Sequence, residues 1–172
     1  MSGDIKELLI NSPKLLKERE EQRIKSYFHS FTEMKLFYLI KEKIYSDLQK
    51  TINQFSYYDA FTLEWLAQLE LKCRKVHFPE MFIEKIKWDK LKKSSYIKAL
   101  YVNSTSEGIY MWDIKQINEN DIVWGLRTMN KETETENGEV IEHPETEEKL
   151  VGYLPIDIAE DLTKKLVNIY EI

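Results

Sequence analysis

Apolar residues recur at helical spacing in four parts of the chain, with short apolar or alternating stretches between them. Phe37, Ile40 and Ile44 give the clearest helical spacing, and Thr32 stands before them as a candidate helix cap. The periodicity predicts helices over residues 4–25, 31–50, 80–93 and 157–168. Strands are predicted over residues 55–62, 65–73, 96–103, 109–114, 122–126 and 149–155. This order predicts an α/β (α+β) fold, with helices packed on a mixed sheet.

The length of 172 residues suits one domain with one sizeable core, spanning residues 1–172. The charged residues 1–25 are predicted to form a helical arm, with Ser12 as a helix cap and Pro13 in the first turn. Residues 129–148 are polar, acidic and without periodicity. They are therefore predicted to form an exposed loop.

The composition also bounds the compartment. No stretch of about 18 apolar residues occurs, so no membrane span is expected. The first residues lack the apolar core of a secretion signal. The single cysteine, Cys73, excludes an internal disulfide and is interpreted as a buried small side chain. These features predict an intracellular, cytoplasmic protein.

The formal net charge of −5 argues mildly against tight non-specific binding to nucleic acid. The charge is unevenly distributed, however. Acidic residues concentrate in the predicted loop at 129–148, whereas one stretch of fourteen residues is basic. That basic stretch contains Lys85, Lys87, Lys90, Lys92, Lys93 and Lys98. A local basic surface is therefore compatible with the acidic total.

Asp59 stands eleven positions before the triplet Glu70-Leu71-Lys72. Successive side chains of a strand point to opposite faces, so Glu70 and Lys72 share one face, and Leu71 lies on the apolar other face. If the chain turns back between residues 59 and 70, Asp59 lies beside Glu70. Two carboxylates and a lysine suit metal-assisted hydrolysis of a phosphodiester.

The segments YYDAF, AQLELKCR and FPEMFIEKIKWDKL resemble the PD-(D/E)XK nuclease superfamily, which has the restriction-endonuclease-like fold. The resemblance is to small, phage-encoded members, and it covers about a third of the chain. It implies a mixed sheet flanked by helices and a metal-dependent nuclease that cuts DNA. It also implies Mg²⁺, or Mn²⁺ in its place, a possible homodimer, and the host cytoplasm as the location.

The resemblance also implies roles for individual residues. Asp59 and Glu70 would hold the metal ion, and Lys72 would orient or activate the attacking water. Glu33, on the N-terminal helix, and Lys87, on the helix after the motif, would complete the catalytic set. The residues implied to contact nucleic acid are Arg74, Lys85, Lys92 and Lys93.

Each assignment has a plainer alternative. Glu70 and Lys72 can form an ordinary ion pair on a solvated sheet face, while Glu33 and Lys87 can be exposed helix residues. A second triplet, Asp113-Ile114-Lys115, also pairs an acid with a lysine. The acid before it, Glu107, is only six residues back, which is too short for two strands.

Two functional alternatives also remain. The chain could keep the nuclease-like fold and serve as a non-catalytic binding or assembly protein, with the helical N-terminal part contacting a protein partner. It could also be an anti-defence protein whose acidic loop mimics nucleic acid.

Overall fold

The computed structural model describes residues 12–51, 58–134 and 140–167. The helices in this part of the chain are α1 (Pro13–His29), α2 (Glu33–Lys43), α3 (Lys85–Lys92) and the short α4 (Thr163–Leu166). The strands are β1 (Gln49–Lys50), β2 (Ala60–Thr62), β3 (Ala67–Cys73), β4 (Glu80–Glu84), β5 (Lys98–Ser104), β6 (Ile109–Asp113), β7 (Val123–Glu134), β8 (Val140–Pro155) and β9 (Glu160–Asp161). None of the described helices is long and apolar enough to cross a membrane.

The strands form two sheets. The first has six strands in the order β1-β2-β3-β5-β6-β9, and only its β3–β5 pair is parallel. The second has three antiparallel strands in the order β4-β8-β7. The predicted mixed sheet with packed helices is therefore confirmed at the level of fold class.

The six-stranded sheet is covered on both faces. On one face, Leu69 and Leu71 of β3 pack with Leu36 and Phe37 of α2. On the other face, Tyr101 and Trp112 pack with residues of α3 and the second sheet: Met81, Ile83, Trp88, Leu91 and Leu154. Strand β3 lies inside this sandwich, which is why five consecutive residues from Ala67 to Leu71 are buried. A side chain within this run of five residues is consequently shielded from water.

The caps predicted for the first two helices are confirmed. The Ser12 hydroxyl accepts a hydrogen bond from the Leu15 amide at 3.2 Å, and Thr32 accepts one from Lys35 at 3.2 Å. Helix α2 begins as predicted but ends at Lys43 rather than near residue 50. The chain then turns, and Leu48 returns to the core ahead of β1.

Two predicted helices are shorter than expected. The segment 80–93 begins as strand β4, because Met81 and Ile83 pair with β8, and helix α3 begins only at Lys85. The segment 157–168 contains a 3₁₀ turn and the strand β9 before the four residues of α4. In both segments, pairing to a distant strand outweighs the local periodicity.

The prediction of an exposed acidic loop over 129–148 is wrong as to secondary structure at residues 129–134 and 140–148, and its remaining residues, 135–139, lie outside the described part of the chain. Strands β7 and β8 pair continuously, apart from a bulge between Asn130 and Glu132, and the last pair is Glu134 with Val140. Strand β4 covers only the end of β8, from Val151 to Pro155. The remaining two-stranded ribbon, residues 126–134 and 140–150, is called the hairpin arm below. The arm residues whose burial the structure describes, 126–130 and 144–150, are exposed or half-buried. A ribbon that buries neither face has no need of apolar alternation in its sequence.

Candidate active site

Asp59 is fixed to β3 through its backbone and its side chain. Its amide donates to the Leu69 carbonyl at 2.9 Å, and its carboxylate Oδ2 accepts from the Leu71 amide at 2.6 Å. The register of β2 against β3 pairs Ala60 with Leu69, so Asp59 lies just past the last paired residue. Beyond the last β2–β3 pair, the Asp59 carboxylate accepts the hydrogen bond from β3 that a β2 carbonyl would otherwise accept. This contact places Asp59 beside Glu70.

The turn between β2 and β3 occupies residues 63–66 and contains no glycine. Asp47 holds it, because its carboxylate accepts from the amides of Leu63 at 2.9 Å and Glu64 at 3.0 Å. Leu66 takes a positive φ of 45° to complete the turn. Trp65, the first residue of the predicted strand 65–73, is instead in this turn and 53 % exposed. Strand β3 therefore begins at Ala67.

Glu70 is the centre of the site. Its side chain is only 2 % exposed, and its Oε1 atom contacts the Lys87 ammonium from α3 and lies 3.9 Å from the Lys72 Nζ. Lys87 lies in the first turn of α3, so the start of this helix fixes its position. The predicted faces of β3 are confirmed, since Leu69 and Leu71 lie in the core on the α2 side.

Glu33 completes the cluster from the N-terminal part of the chain. It is the first residue of α2, and its Oε1 atom accepts from the Lys72 Nζ at 3.3 Å. The structure thus brings together all five residues predicted as catalytic, from α2, the start of β2, β3 and α3: Glu33, Asp59, Glu70, Lys72 and Lys87.

Burial and neighbouring charge shift the protonation equilibria of both glutamates. Burial first, and the nearby Asp59 carboxylate second, raise the pKa of Glu70 to about 7, although Lys87 and Lys72 oppose the shift. Burial also raises the pKa of Glu33, and Lys72 opposes it. A divalent cation at these carboxylates would offset the cost that burial imposes on their charge.

The basic side of the site is held in its charged form. Burial lowers the pKa of Lys72, but Glu33, Glu70 and Asp59 together outweigh burial and raise it above the ordinary lysine value. Lys72 therefore remains an ammonium group near neutral pH. Burial also raises the pKa of the Cys73 thiol to about 12, which disfavours the reactive thiolate. Cys73, predicted to be buried, is half-buried against the core.

The four residues predicted to contact nucleic acid lie outside this cluster. Arg74 donates to Asn103 Oδ1 and to the Phe82 carbonyl, both at 3.2 Å. Lys85 pairs with Asp89 and with Glu119 at 3.1 Å. Lys92 donates to the Lys115 carbonyl at 3.3 Å and to the Ile117 carbonyl. Lys93, just past α3, is exposed.

Two polar residues near Arg74 were missed by the sequence analysis. Asn103 is fully buried on β5, where it is aligned with Lys72 of β3. Arg127 stacks on the ring of Phe82, with its guanidinium carbon 4.4 Å from the ring centre. No local signal marks Arg127, because its position depends on the pairing of β7 with β8 and of β8 with β4.

Asp59 and Glu70 are the residues that could hold a divalent cation. Each offers a second carboxylate oxygen that accepts no hydrogen bond from the described residues. Two carboxylates completed by water and a phosphate are a usual ligand set for Mg²⁺, so the donor chemistry fits. Within the described ranges, no group of three or more His, Cys, Asp or Glu side chains is arranged to hold a metal.

Comparisons with known proteins give no relative. No family model, no curated protein and no solved structure matches the chain.

Proposed function

We propose that this protein is a metal-dependent nuclease of the PD-(D/E)XK type that hydrolyses phosphodiester bonds in DNA. The observation that supports it is the convergence on buried Glu70 of four other charged side chains, from widely separated parts of the sequence: Glu33, Asp59, Lys72 and Lys87. An ordinary surface ion pair needs neither the burial nor the third carboxylate. Perturbed, coupled charges of this kind are typical of catalytic sites.

In this proposal Asp59 and Glu70 hold Mg²⁺ or Mn²⁺. The ion, when bound, polarises the phosphoryl group and lowers the pKa of a coordinated water. Lys72, held as an ammonium by three carboxylates, orients the attacking water and offsets negative charge in the transition state. Glu33 positions the Lys72 ammonium through their 3.3 Å contact. Lys87 balances the charge of Glu70 from the other side.

Two observations favour a second candidate, a non-catalytic binding protein with the same fold. Lys87 already neutralises the buried Glu70 carboxylate without a metal ion. The hairpin arm in addition carries many of the glutamates that make the chain acidic, which suits a basic protein partner better than DNA. The two candidates differ in whether Asp59 and Glu70 bind a divalent cation.

The test is cleavage of linear, plasmid and branched DNA in Mg²⁺ or Mn²⁺, comparing the wild type with Asp59→Asn. Asp113→Asn is a matched control, since Asp113 belongs to the second acid-x-lysine triplet. We expect metal-dependent cleavage by the wild type and the control, and none by Asp59→Asn. Cleavage that survives in Asp59→Asn contradicts the proposed site.

Thermal unfolding decides between the two candidates independently of the substrate. A cation that binds only the folded state adds about 2.7 kcal/mol at a hundredfold excess over its Kd. We expect Mg²⁺ or Mn²⁺ to raise the melting temperature of the wild type and of Asp113→Asn, and to leave Asp59→Asn unchanged. The non-catalytic candidate predicts no shift in any of the three.

A further inference from the structure

Two arginines from different parts of the chain stack on one aromatic ring. The guanidinium carbon of Arg74 lies 3.8 Å from the centre of the Phe82 ring, and that of Arg127 lies 4.4 Å from it. Arg74 follows the end of β3, two residues after Lys72, while Arg127 lies at the base of the hairpin arm. Phe82 on β4 is only 8 % exposed. The three residues, called the arginine pair and its ring below, join the two sheets.

The arginine pair has no counter-charge among the described side chains. Arg74 donates only to neutral acceptors, the Asn103 amide oxygen and the Phe82 carbonyl. Arg127, an exposed side chain, makes no ion pair with any described residue. Lys149, which lies opposite Arg127 in the β7–β8 pairing, shows the contrast, because it binds the carboxylates of Glu84 and Glu147.

The polar groups around Arg74 add donors rather than acceptors. The Asn103 Nδ2 group is fully buried and donates to no described atom, although its Oδ1 atom accepts from Arg74. The Tyr101 hydroxyl and Arg74 both donate to the same Phe82 carbonyl. Buried donors normally have partners. Two cations held together, within an excess of donors, mark a place where an anion is stabilised.

We propose that the arginine pair is a phosphate subsite that binds the DNA backbone beside the catalytic cluster. This inference rests on the proposed nuclease function and adds to it the path of the substrate. Arg74 lies two residues from Lys72. A DNA strand whose scissile phosphate contacts Lys72 would therefore pass Arg74 and continue towards the base of the hairpin arm. Guanidinium groups suit phosphate oxygens, and such contacts position the backbone without reading its sequence.

The test measures DNA binding without catalysis. A fluorescent 20-base-pair duplex is titrated with the protein in EDTA, at salt concentrations from 50 to 200 mM, and its anisotropy is recorded. The variants are Arg127→Gln, Arg127→Lys, and the matched control Arg19→Gln on the exposed surface of α1. We expect Arg127→Gln to weaken binding severalfold and to lower the salt slope by about 1. Arg127→Lys and Arg19→Gln keep the wild-type slope.

Melting temperatures of the same proteins separate a phosphate contact from a purely structural one. If Arg127→Gln melts lower but keeps the wild-type salt slope, the arginine pair only joins the sheets and the inference is overturned. Failure of wild-type protein to bind the duplex also overturns it. Cleavage assays run in parallel keep the two proposals distinct. Normal cleavage with an unchanged slope refutes only the subsite, whereas absent cleavage with an Arg127-dependent slope refutes only the nuclease.

Discussion

One acid-x-lysine triplet lies on β3 and a second begins at the end of β6, two strands that β5 separates in the same sheet, and their charges have different partners. Among the described residues, the charged groups of Glu70 and Lys72 on β3 pair only with other charged side chains: Glu33, Lys87 and each other. Asp113 at the end of β6 instead accepts from the backbone amides of Ala99 at 3.3 Å and Lys115 at 3.2 Å.

The lysines of the two triplets differ in the same way. The Lys115 Nζ donates to the backbone carbonyls of Ser94, at 2.7 Å, and Tyr96. Each member of the second triplet therefore satisfies backbone groups and fixes the chain around the start of β5. The charged groups of the first triplet instead pair with each other and with neighbouring charged side chains, and the second carboxylate oxygen of Glu70 accepts no hydrogen bond from the described residues. The same acid-x-lysine spacing therefore occurs in two different environments, and the partners of its charges distinguish the two triplets.

The largest difference between the two triplets is expected when the lysine of each is replaced by alanine. We expect Lys72→Ala to lower the rate of DNA cleavage by about 10²–10⁴-fold, because in the proposed nuclease the ammonium would orient the attacking water and offset transition-state charge. Lys115→Ala should cleave within about threefold of the wild-type rate at a temperature where it is fully folded. The rates are measured as single-turnover cleavage of a labelled DNA in Mg²⁺.

Circular dichroism confirms that both variants are folded before the rates are compared. Equal loss of activity in the two folded variants would contradict the separation of a catalytic from a structural triplet. Full activity in Lys72→Ala would contradict the catalytic role proposed for Lys72.

Part of the charge cluster is predictable from a local pattern, because strand alternation places Glu70 and Lys72 on one face. Glu33 and Lys87 are predicted only through the family resemblance, since nothing in the sequence near either residue indicates that it reaches Lys72 or Glu70. Burial of Glu70 depends on α3 and the second sheet closing over β3, which no local pattern encodes.

The hairpin arm and the arginine pair could not be predicted for a physical reason. In the hairpin arm, β7 and β8 pair with each other beyond the part of β8 that β4 covers, and the sequence of the arm shows no apolar alternation. Met81 to Ile83 has too few residues to distinguish a buried strand from a helix start by periodicity. Since Phe82 lies in that short strand and Arg127 in the arm, their contact follows only from the paired sheet.

The raised pKa of Glu70 makes the stability of the protein depend on pH. The folded-state pKa of Glu70, about 7, lies above the ordinary value of 4.5. Between these values the unfolded chain has released the proton that the folded protein retains. The stability contributed by the protonated carboxyl is therefore fully present below pH 4.5 and is lost as the pH rises to about 7.

Glu70→Gln removes the titrating carboxyl group, so the variant does not undergo the loss of stability that the wild type shows between pH 4.5 and 7. From pH 4.5 to 7, the unfolding free energy of the variant should rise relative to wild type by about 3 kcal/mol, then stay constant. Urea unfolding at a series of pH values, without divalent metal, measures the difference. Asp59→Asn is the matched control and should narrow the pH window, because the Asp59 charge is the second cause of the shift. A pH-independent difference for Glu70→Gln would show that the carboxyl is not perturbed.

The Lys115 ammonium is expected to make a small contribution to the stability of the fold. Lys115→Met keeps the length of the side chain but removes the ammonium that donates to the Ser94 and Tyr96 carbonyls. Losing these bonds should lower the unfolding free energy by about 1–3 kcal/mol, since half-buried carbonyls lose charged donors. Exposed Lys93→Met should change it by less than about 0.5 kcal/mol. If both variants unfold at the wild-type urea midpoint, the second triplet has no structural role, and its difference from the first lies only in the missing carboxylate partners.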